Sequence, residues 1–203
     1  MQLFYSANSP YVRKIMILLH EIGRADEVEL IADYKSSAAS AAEKLAHNPL
    51  NKVPILVTDD GMAIFDSSVI GQYLDTLHSG PRFYPESGMA RWQTLRNEAI
   101  GDGMSDAAIL VIYEERRRPL QLFWQEWFDK QFPKLPSSLH HLEAVTGPPR
   151  EFDAGAVAIT CAIGLLDFRF AHWNWRREYP RVANWYAAVS ERPSVRETRP
   201  RTP

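Results

Sequence analysis

The amino-acid sequence predicts a small α/β domain followed by an all-helical domain. Short strand-like segments alternate with amphipathic helical segments as far as residue 78. The segment His78-Ser-Gly-Pro-Arg82 then interrupts this pattern, and from residue 86 onward only helical periodicity remains. The chain has 203 residues, of which 45% are hydrophobic and 24% charged, so it is long and apolar enough to bury a core.

The first two elements are a strand over residues 2–5 and a helix that begins after Ser9. Pro10 takes the first helical position, where its missing N–H costs nothing, and Gly23 ends the helix. Apolar residues recur at helical spacing in between: Val12, Ile15, Leu18, Leu19 and Ile22.

The following elements complete the order β-α-β-α-β-β-α. Further strands are predicted over residues 28–31, 53–57 and 62–65. The turn Thr58-Asp-Asp-Gly61 joins the last two strands as a hairpin. Residues 36–46 are rich in Ala and Ser and weakly helical, and residues 67–77 form a third helix. We therefore expect an N-terminal domain over residues 1–78 and a linker over residues 79–85.

The remainder, residues 86–203, forms the helical domain. One long helix is predicted over residues 86–118, since Pro119 ends it, and a second over residues 120–145, bent near Pro133 and Pro136. The nearly apolar segment 154–171 predicts a buried helix, and residues 180–192 predict the last one.

Composition excludes several classes of function. The net charge of −2 gives no reason to expect a nucleic-acid partner, and the longest nearly apolar stretch is too short to span a membrane. A single cysteine, Cys161, precludes an internal disulfide, and we expect a cytoplasmic protein with no signal peptide. The adjacent His140 and His141 face different ways on a helix, so no metal is expected.

Two segments of the N-terminal half predict a site for a small charged peptide. Pro54 opens an apolar strand, is a candidate for a cis bond, and leaves the backbone of Val53 available to an extended peptide. Asp66-Ser67-Ser68 then opens a helix whose first N–H groups can hold a carboxylate.

These segments resemble a known family. Ser9-Pro-Tyr-Val-Arg-Lys14, Asn48-Pro-Leu-Asn-Lys-Val-Pro54 and Asp66-Ser67 are similar, in order and spacing, to the three glutathione-site motifs of soluble glutathione S-transferases. The segments Cys161–Phe170 and Arg192-Pro-Ser194 also resemble bacterial members, so the likeness covers the whole chain. The resemblance implies a thioredoxin-like N-terminal domain, a homodimer, and conjugation of glutathione to small apolar electrophiles, with no cofactor beyond glutathione.

The resemblance also implies roles for individual residues. Ser9 would donate a hydrogen bond to the glutathione thiolate, with Asn8 and Tyr5 as alternatives. The glutathione-binding residues would be Ser9, Lys52, Val53, Pro54, Asp66 and Ser67. Lys52 would bind the glycine carboxylate, and the backbone of Val53 would pair with the cysteinyl unit. Asp66 would bind the ammonium group and Ser67 the γ-glutamyl carboxylate.

The chain departs from the family pattern at two glutathione-site positions. Asn51 stands where the family has Gly, and Asp66 where it has Glu. Asp153 can cap the buried helix, but Ala156 removes the reciprocal half of a capping box.

The electrophile would bind against the first turns of the long helix. Candidates there are Asp102, Met104, Ser105, Asp106, Ile109 and Tyr113. Two alternatives stay open within the same fold: a non-catalytic protein that binds glutathione or other ligands, and a protein-interaction domain. A peroxide- or dehalogenation-directed activity is a third, less favoured one.

Overall fold

The computed structural model describes residues 1–32 and 38–200. A four-stranded sheet in the order β2-β1-β3-β4 forms the centre of the N-terminal part. Its strands are β1 (Gln2–Tyr5), β2 (Glu29–Ala32), β3 (Ile55–Val57) and β4 (Ala63–Ile64). β1 runs parallel to β2 and antiparallel to β3, while β3 and β4 form a hairpin. The predicted order of elements is therefore confirmed.

Three helices accompany the sheet: α1 (Pro10–Glu21), α2 (Ala38–His47) and α3 (Ser67–Leu74). Two of them begin at the predicted caps, since Ser9 Oγ accepts from Val12 N and Asp66 Oδ1 accepts from Ser68 N. Ser36 and Ser37, which were predicted to start the second helix, lie outside the described residues.

Within the described residues, the C-terminal part contains seven α-helices. They are α4 (Gly88–Arg116), α5 (Gln125–Gln131), α6 (Lys134–His140), α7 (Ala154–Arg169), α8 (Trp175–Glu178), α9 (Pro180–Ser190) and α10 (Pro193–Glu197). α7 is buried from Ala154 to Leu166 and packs along α4. Val157 and Cys161 of α7 also join the core of the N-terminal part, so this helix contributes to both cores.

The predicted helix over residues 120–145 was wrong in its first part. A 3₁₀ turn spans Leu120–Leu122, and the chain is extended at Phe123 and Trp124. The carboxylate of Glu114 accepts the backbone N–H of Trp124 at 2.7 Å, which stabilises this non-helical connection. The predicted bend is confirmed near Pro133, because α5 ends before it and α6 begins after it, whereas Pro136 lies within α6. The short helices α8 and α10 were not predicted.

Candidate functional site

The register of the sheet brings the three predicted segments to one edge. In the β1–β3 pair Phe4 lies opposite Ile55, and in the β3–β4 pair Leu56 lies opposite Ile64. The end of β1, the start of β3 and the end of β4 therefore meet at the same edge of the sheet. The segments that follow β1, precede β3 and follow β4 carry Ser9, Val53 and Asp66 respectively.

Ser9 is the N-cap residue of α1. Its Oγ accepts a hydrogen bond from Val12 N at 3.3 Å, and its backbone is extended (φ −81°, ψ 122°). Because the hydroxyl oxygen accepts in this bond, the hydroxyl proton can still be donated to a ligand. The side chain is half-buried at the positive end of a 12-residue helix, a position that favours an anion.

The two alternatives to Ser9 have different surroundings. The amide oxygen of Asn8 is buried without a hydrogen-bond partner in the described structure, an uncommon state for a buried polar atom. Tyr5 is half-buried and lines a cavity of about 210 Å³ together with Arg13 and Glu197. Tyr5 therefore lies close to α10. Asn8 is the residue immediately before Ser9 in the sequence.

The second segment is a shaped loop. Asn48 is buried, donates from Nδ2 to the carbonyl oxygen of Lys52 at 3.0 Å, and accepts from the N–H of Leu50 at 2.9 Å. The Val53–Pro54 peptide bond is cis, as predicted. Val53 lies beyond the last β1–β3 pair, and Lys52 is exposed beside it.

The backbone conformation of Asn51 explains why asparagine can replace the glycine of the family pattern. Its φ is 52°, in the left-handed region where glycine is favoured. Asparagine is among the few other residues that adopt this conformation readily. The replacement of glycine therefore leaves the turn intact.

The third segment forms the N-terminus of α3. One carboxylate oxygen of Asp66 accepts from the N–H groups of Ser68 at 3.0 Å and Val69 at 3.4 Å. The residue is exposed, whereas Ser67 is 3% exposed. The shorter side chain at position 66 thus caps the helix with one oxygen.

A cluster of charged side chains between α1, α3 and α4 was not predicted from the sequence. Lys14 of α1 is 1% exposed, and its Nζ lies 3.1 Å from Glu98 and 2.8 Å from Asp102 of α4. Asp102 also accepts from the Ser68 hydroxyl at 3.3 Å, and Tyr84 donates to Glu98 at 2.7 Å. The cluster therefore joins the N-terminus of α3 to the first half of the helical part.

The pKa shifts in this cluster follow from burial and charge. Burial alone would lower the pKa of Lys14, but the carboxylates of Asp102 and Glu98 raise it above its ordinary value. Burial raises the pKa of Asp102, and the nearby Lys14 offsets only part of that rise. Burial, followed by the charge of Glu98, also raises the pKa of Tyr84. The phenol of Tyr84 therefore stays protonated at neutral pH.

The electrophile candidates divide into two groups. Met104 and Ser105 are 1% and 2% exposed, so in this structure their side chains are buried in the interior. They lie on the buried face of α4, and Met104 belongs to the helical core. Ile109 is half-buried and Tyr113 is 59% exposed.

Asp102, Asp106, Ile109 and Tyr113 follow one another at helical spacing along α4. Asp102 reaches Lys14 and Asp106 accepts from the hydroxyl of Tyr11, so this face of α4 is directed toward α1. Tyr11 was not predicted as a site residue, although it stands only two positions after Ser9. Burial and the bond to Asp106 raise the pKa of the Tyr11 phenol.

Arg13, within the first of the three segments, is buried. It is 4% exposed, and its guanidinium donates to the carbonyl oxygen of Val195 at 3.1 Å. It therefore ties α1 to α10 and is not a surface residue.

Residues 1–32 and 38–200 contain no group of three or more His, Cys, Asp or Glu side chains placed to hold a metal ion. None of the helices described is both long and apolar enough to cross a membrane.

Comparison with known proteins agrees with the fold. Two family models match: "Glutathione S-transferase, N-terminal domain" over residues 8–77 and "Glutathione S-transferase, C-terminal domain" over residues 125–188. The uncharacterized GST-like protein YibF of Escherichia coli K12 is 32% identical over 204 residues, which is 98% of each chain.

Two solved structures illustrate the likeness. A glutathione transferase family member from Pseudomonas fluorescens Pf-5, with bound glutathione, is 42% identical with a TM-score of 0.93 over 99% of each chain. A glutathione S-transferase from Methylobacillus flagellatus KT, with GSH bound, is 30% identical with a TM-score of 0.84 and covers 98% of this chain and 99% of its own.

The fold is that of the glutathione-transferase class: a small mixed sheet followed by a helical domain. The chain belongs to the soluble bacterial glutathione S-transferase family.

Proposed function

We propose that the protein is a glutathione transferase, which binds reduced glutathione and transfers its thiolate to small apolar electrophiles. The observation that carries the proposal is the Ser9 hydroxyl at the N-terminus of α1, beside the segments of Val53 and Asp66. The bound glutathione in the structures from P. fluorescens and M. flagellatus supports the ligand.

The proposed binding mode assigns each end of glutathione to one segment. The ammonium of Lys52 pairs with the glycine carboxylate, and the backbone of Val53 pairs with the cysteinyl unit. The N–H and hydroxyl of Ser67 bind the γ-glutamyl carboxylate at the N-terminus of α3. The second carboxylate oxygen of Asp66 takes the ammonium group, since the first oxygen caps the helix.

The proposed chemistry begins with the loss of the thiol proton to solvent. A free thiol of the cysteine type has a pKa of about 8.5, and only the thiolate is a good nucleophile. The Ser9 hydroxyl donates a hydrogen bond to the sulfur, and the positive end of α1 stabilises the negative charge. The thiolate then forms a bond to an electrophilic carbon while a leaving group departs with its electron pair, or it adds to an activated double bond and the resulting carbanion takes a proton from solvent.

The electrophile is proposed to lie against the α4 face that carries Ile109 and Tyr113. Tyr11 adds an aromatic ring beside this face, because Asp106 holds its hydroxyl. An aliphatic side chain and two phenol rings favour an apolar, aromatic electrophile.

Replacement of Ser9 by alanine tests the role of the hydroxyl. A hydrogen bond to a charged group is worth about 1.5–3 kcal/mol, so kcat/KM with 1-chloro-2,4-dinitrobenzene should fall roughly ten- to a hundredfold. The pKa of the bound thiol, measured from the pH dependence of kcat/KM, should rise. Ser9→Thr, which keeps the hydroxyl, should retain most of the activity.

Three other outcomes would contradict the proposal in whole or in part. Unchanged activity in Ser9→Ala would remove Ser9 as the activating group and direct attention to Asn8. Calorimetric binding of glutathione without measurable turnover would identify a non-catalytic binding protein. Absence of both binding and turnover would favour a protein-interaction domain of the same fold.

We further propose that the protein is a homodimer. Large apolar side chains are exposed on α3 and at the start of α4: Val69 at 49%, Met89 at 70% and Trp92 at 64%. The two helices adjoin at this point, since Arg91 donates to Gln72 at 3.4 Å. A dimer would cover these side chains, and light scattering that finds only the 23.2 kDa monomer would disprove it.

We also propose that the protein is located in the cytoplasm. A single free cysteine is consistent with a reducing compartment.

A further inference from the structure

The α4 face proposed for the electrophile carries a carboxylate as well as apolar side chains. Asp106 is exposed on this face, and it accepts a hydrogen bond from the hydroxyl of Tyr11, which is half-buried. Ile109 and Tyr113 follow Asp106 along the helix at spacings of three and four residues, so they lie on the same side of α4. A molecule that contacts these side chains is therefore exposed to the charge of Asp106.

The cations of α1 are bound to other groups. Lys14 lies 3.1 Å from Glu98 and 2.8 Å from Asp102, so one ammonium group is shared between two carboxylates. The guanidinium of Arg13 donates to the carbonyl oxygen of Val195 in α10. Neither cation is therefore available to neutralise the carboxylate at position 106.

The cations of α4 are remote from Asp106. The nearest arginines of this helix in the sequence, Arg96 and Arg116, are each ten positions away. Ten residues of an α-helix span about 15 Å, which exceeds the screening length of physiological salt. The charge of Asp106 therefore dominates its part of the helix surface.

The Tyr11 phenol lies in the same negative field. Burial raises its pKa, and so do the hydrogen bond to Asp106 and the charges of Asp106 and Asp102. The phenol is consequently protonated at neutral pH, and its proton is donated to Asp106. An anionic substituent placed here would be repelled by the carboxylates and would have to compete with Asp106 for the Tyr11 hydroxyl.

We propose that Asp106 determines the charge class of the electrophile, because it disfavours an anionic substituent and admits an uncharged or cationic one. The inference rests on the proposed transferase function, since it concerns the electrophile side of that site. Asp106 is exposed, so water and salt screen its field, and we expect discrimination of about tenfold and not an absolute exclusion.

Two glutathione conjugates of nearly equal shape test the proposal without any need for turnover. They are S-(4-nitrobenzyl)glutathione, whose benzyl group is uncharged, and S-(4-carboxybenzyl)glutathione, whose benzyl group is anionic. Calorimetry at low ionic strength should show about tenfold tighter binding of the nitrobenzyl conjugate to the wild-type protein. The ratio of the two dissociation constants should shrink when about 0.5 M sodium chloride screens the charges.

A matched pair of variants assigns this discrimination to one residue. Asp106→Asn removes the charge but keeps an oxygen that can accept from the Tyr11 hydroxyl, so the two conjugates should bind almost equally. Glu115→Gln removes another exposed carboxylate of α4. Glu115 is nine residues, or about two and a half turns, from Asp106 and lies on the opposite side of the helix, so this variant should keep the wild-type ratio.

The same selection should appear in turnover. The substrates are 1-chloro-2,4-dinitrobenzene and 4-chloro-3,5-dinitrobenzoate, and each kcat/KM is divided by the rate constant of the uncatalysed reaction with glutathione. Asp106→Asn should raise the value for the benzoate about tenfold relative to that for the uncharged substrate. Glu115→Gln should leave the relative values unchanged.

The outcomes separate this inference from the transferase function. Equal binding of the two conjugates to the wild-type protein, or an unchanged ratio in Asp106→Asn, would overturn the role of Asp106, while turnover of 1-chloro-2,4-dinitrobenzene would still support the transferase. Preferential binding of the nitrobenzyl conjugate without turnover would refute the transferase and support the role of Asp106. Failure of both conjugates to bind would overturn both.

Discussion

At the scale of single residues, the helix caps depend on contacts within one turn, whereas the buried lysine depends on contacts between residues remote in sequence. Ser9 and Asp66 each cap a helix through a partner two or three positions away. Lys14 was missed because its partner Glu98 lies 84 positions further along the chain. A buried lysine has the same local sequence signature as an exposed one, so only the tertiary structure reveals it.

Asn51 provides a test of a conformational requirement at one residue. A β-branched side chain in the left-handed region costs about 1–2 kcal/mol or more, so Asn51→Val should lower the free energy of unfolding by at least that amount. Asn51→Gly should leave it within about 1 kcal/mol of the wild-type value. Urea unfolding measures both, and Leu50→Val at the exposed neighbouring position is the control. Equal stability of the two Asn51 variants would contradict the inferred strain.

At the scale of elements, the long helix α4 was predicted but its buried face was not. The residues of α4 that lie against the core include Gly101, Ser105 and Ala108, which are small and do not form a large apolar stripe. Periodicity of large apolar residues therefore cannot identify this face.

Gly101 and Gly103 form a matched pair for a test of helix packing. A Cβ at Gly101 would lie 2.5 Å from the backbone nitrogen of Ile159 in α7, whereas one at Gly103 would meet nothing within 4 Å. Gly101→Ala should therefore destabilise the protein by about 1–3 kcal/mol or more, because backbone atoms cannot move aside. Gly103→Ala should stabilise it by up to about 1 kcal/mol, since alanine favours the helix. Thermal unfolding of both variants checks the pair, and a similar effect of the two would disprove the close α4–α7 contact.

At the scale of the whole molecule, the buried cluster couples the sheet part to the helical part. Lys14 comes from α1, Ser68 from α3, and Glu98 and Asp102 from α4, with Tyr84 between α3 and α4. The order of the elements was predictable because each has a local signal. The contacts that join the two parts were not predictable, because no local pattern shows which residues remote in sequence will lie next to each other.

This cluster gives the protein a specific response to alkaline pH. The pKa of Lys14 is raised above its ordinary value of 10.5, and that of Tyr84 above 10.0. Each group therefore keeps its proton up to a higher pH in the folded state than in the unfolded state. Their contribution to stability is complete below these ordinary values and is lost as the pH rises above them.

The free energy of unfolding should consequently fall from about pH 10 upward, with each group contributing up to about 1.4 kcal/mol per pH unit. Tyr84→Phe keeps the ring and removes one of these protons, so its stability should decline less steeply between pH 10 and 11.5. Tyr113→Phe, at a residue that is 59% exposed, is the matched control and should decline as the wild type does. Urea unfolding across this pH range measures the three slopes. A slope for Tyr84→Phe equal to that of the wild type would show that the cluster does not hold the phenolic proton in the folded state.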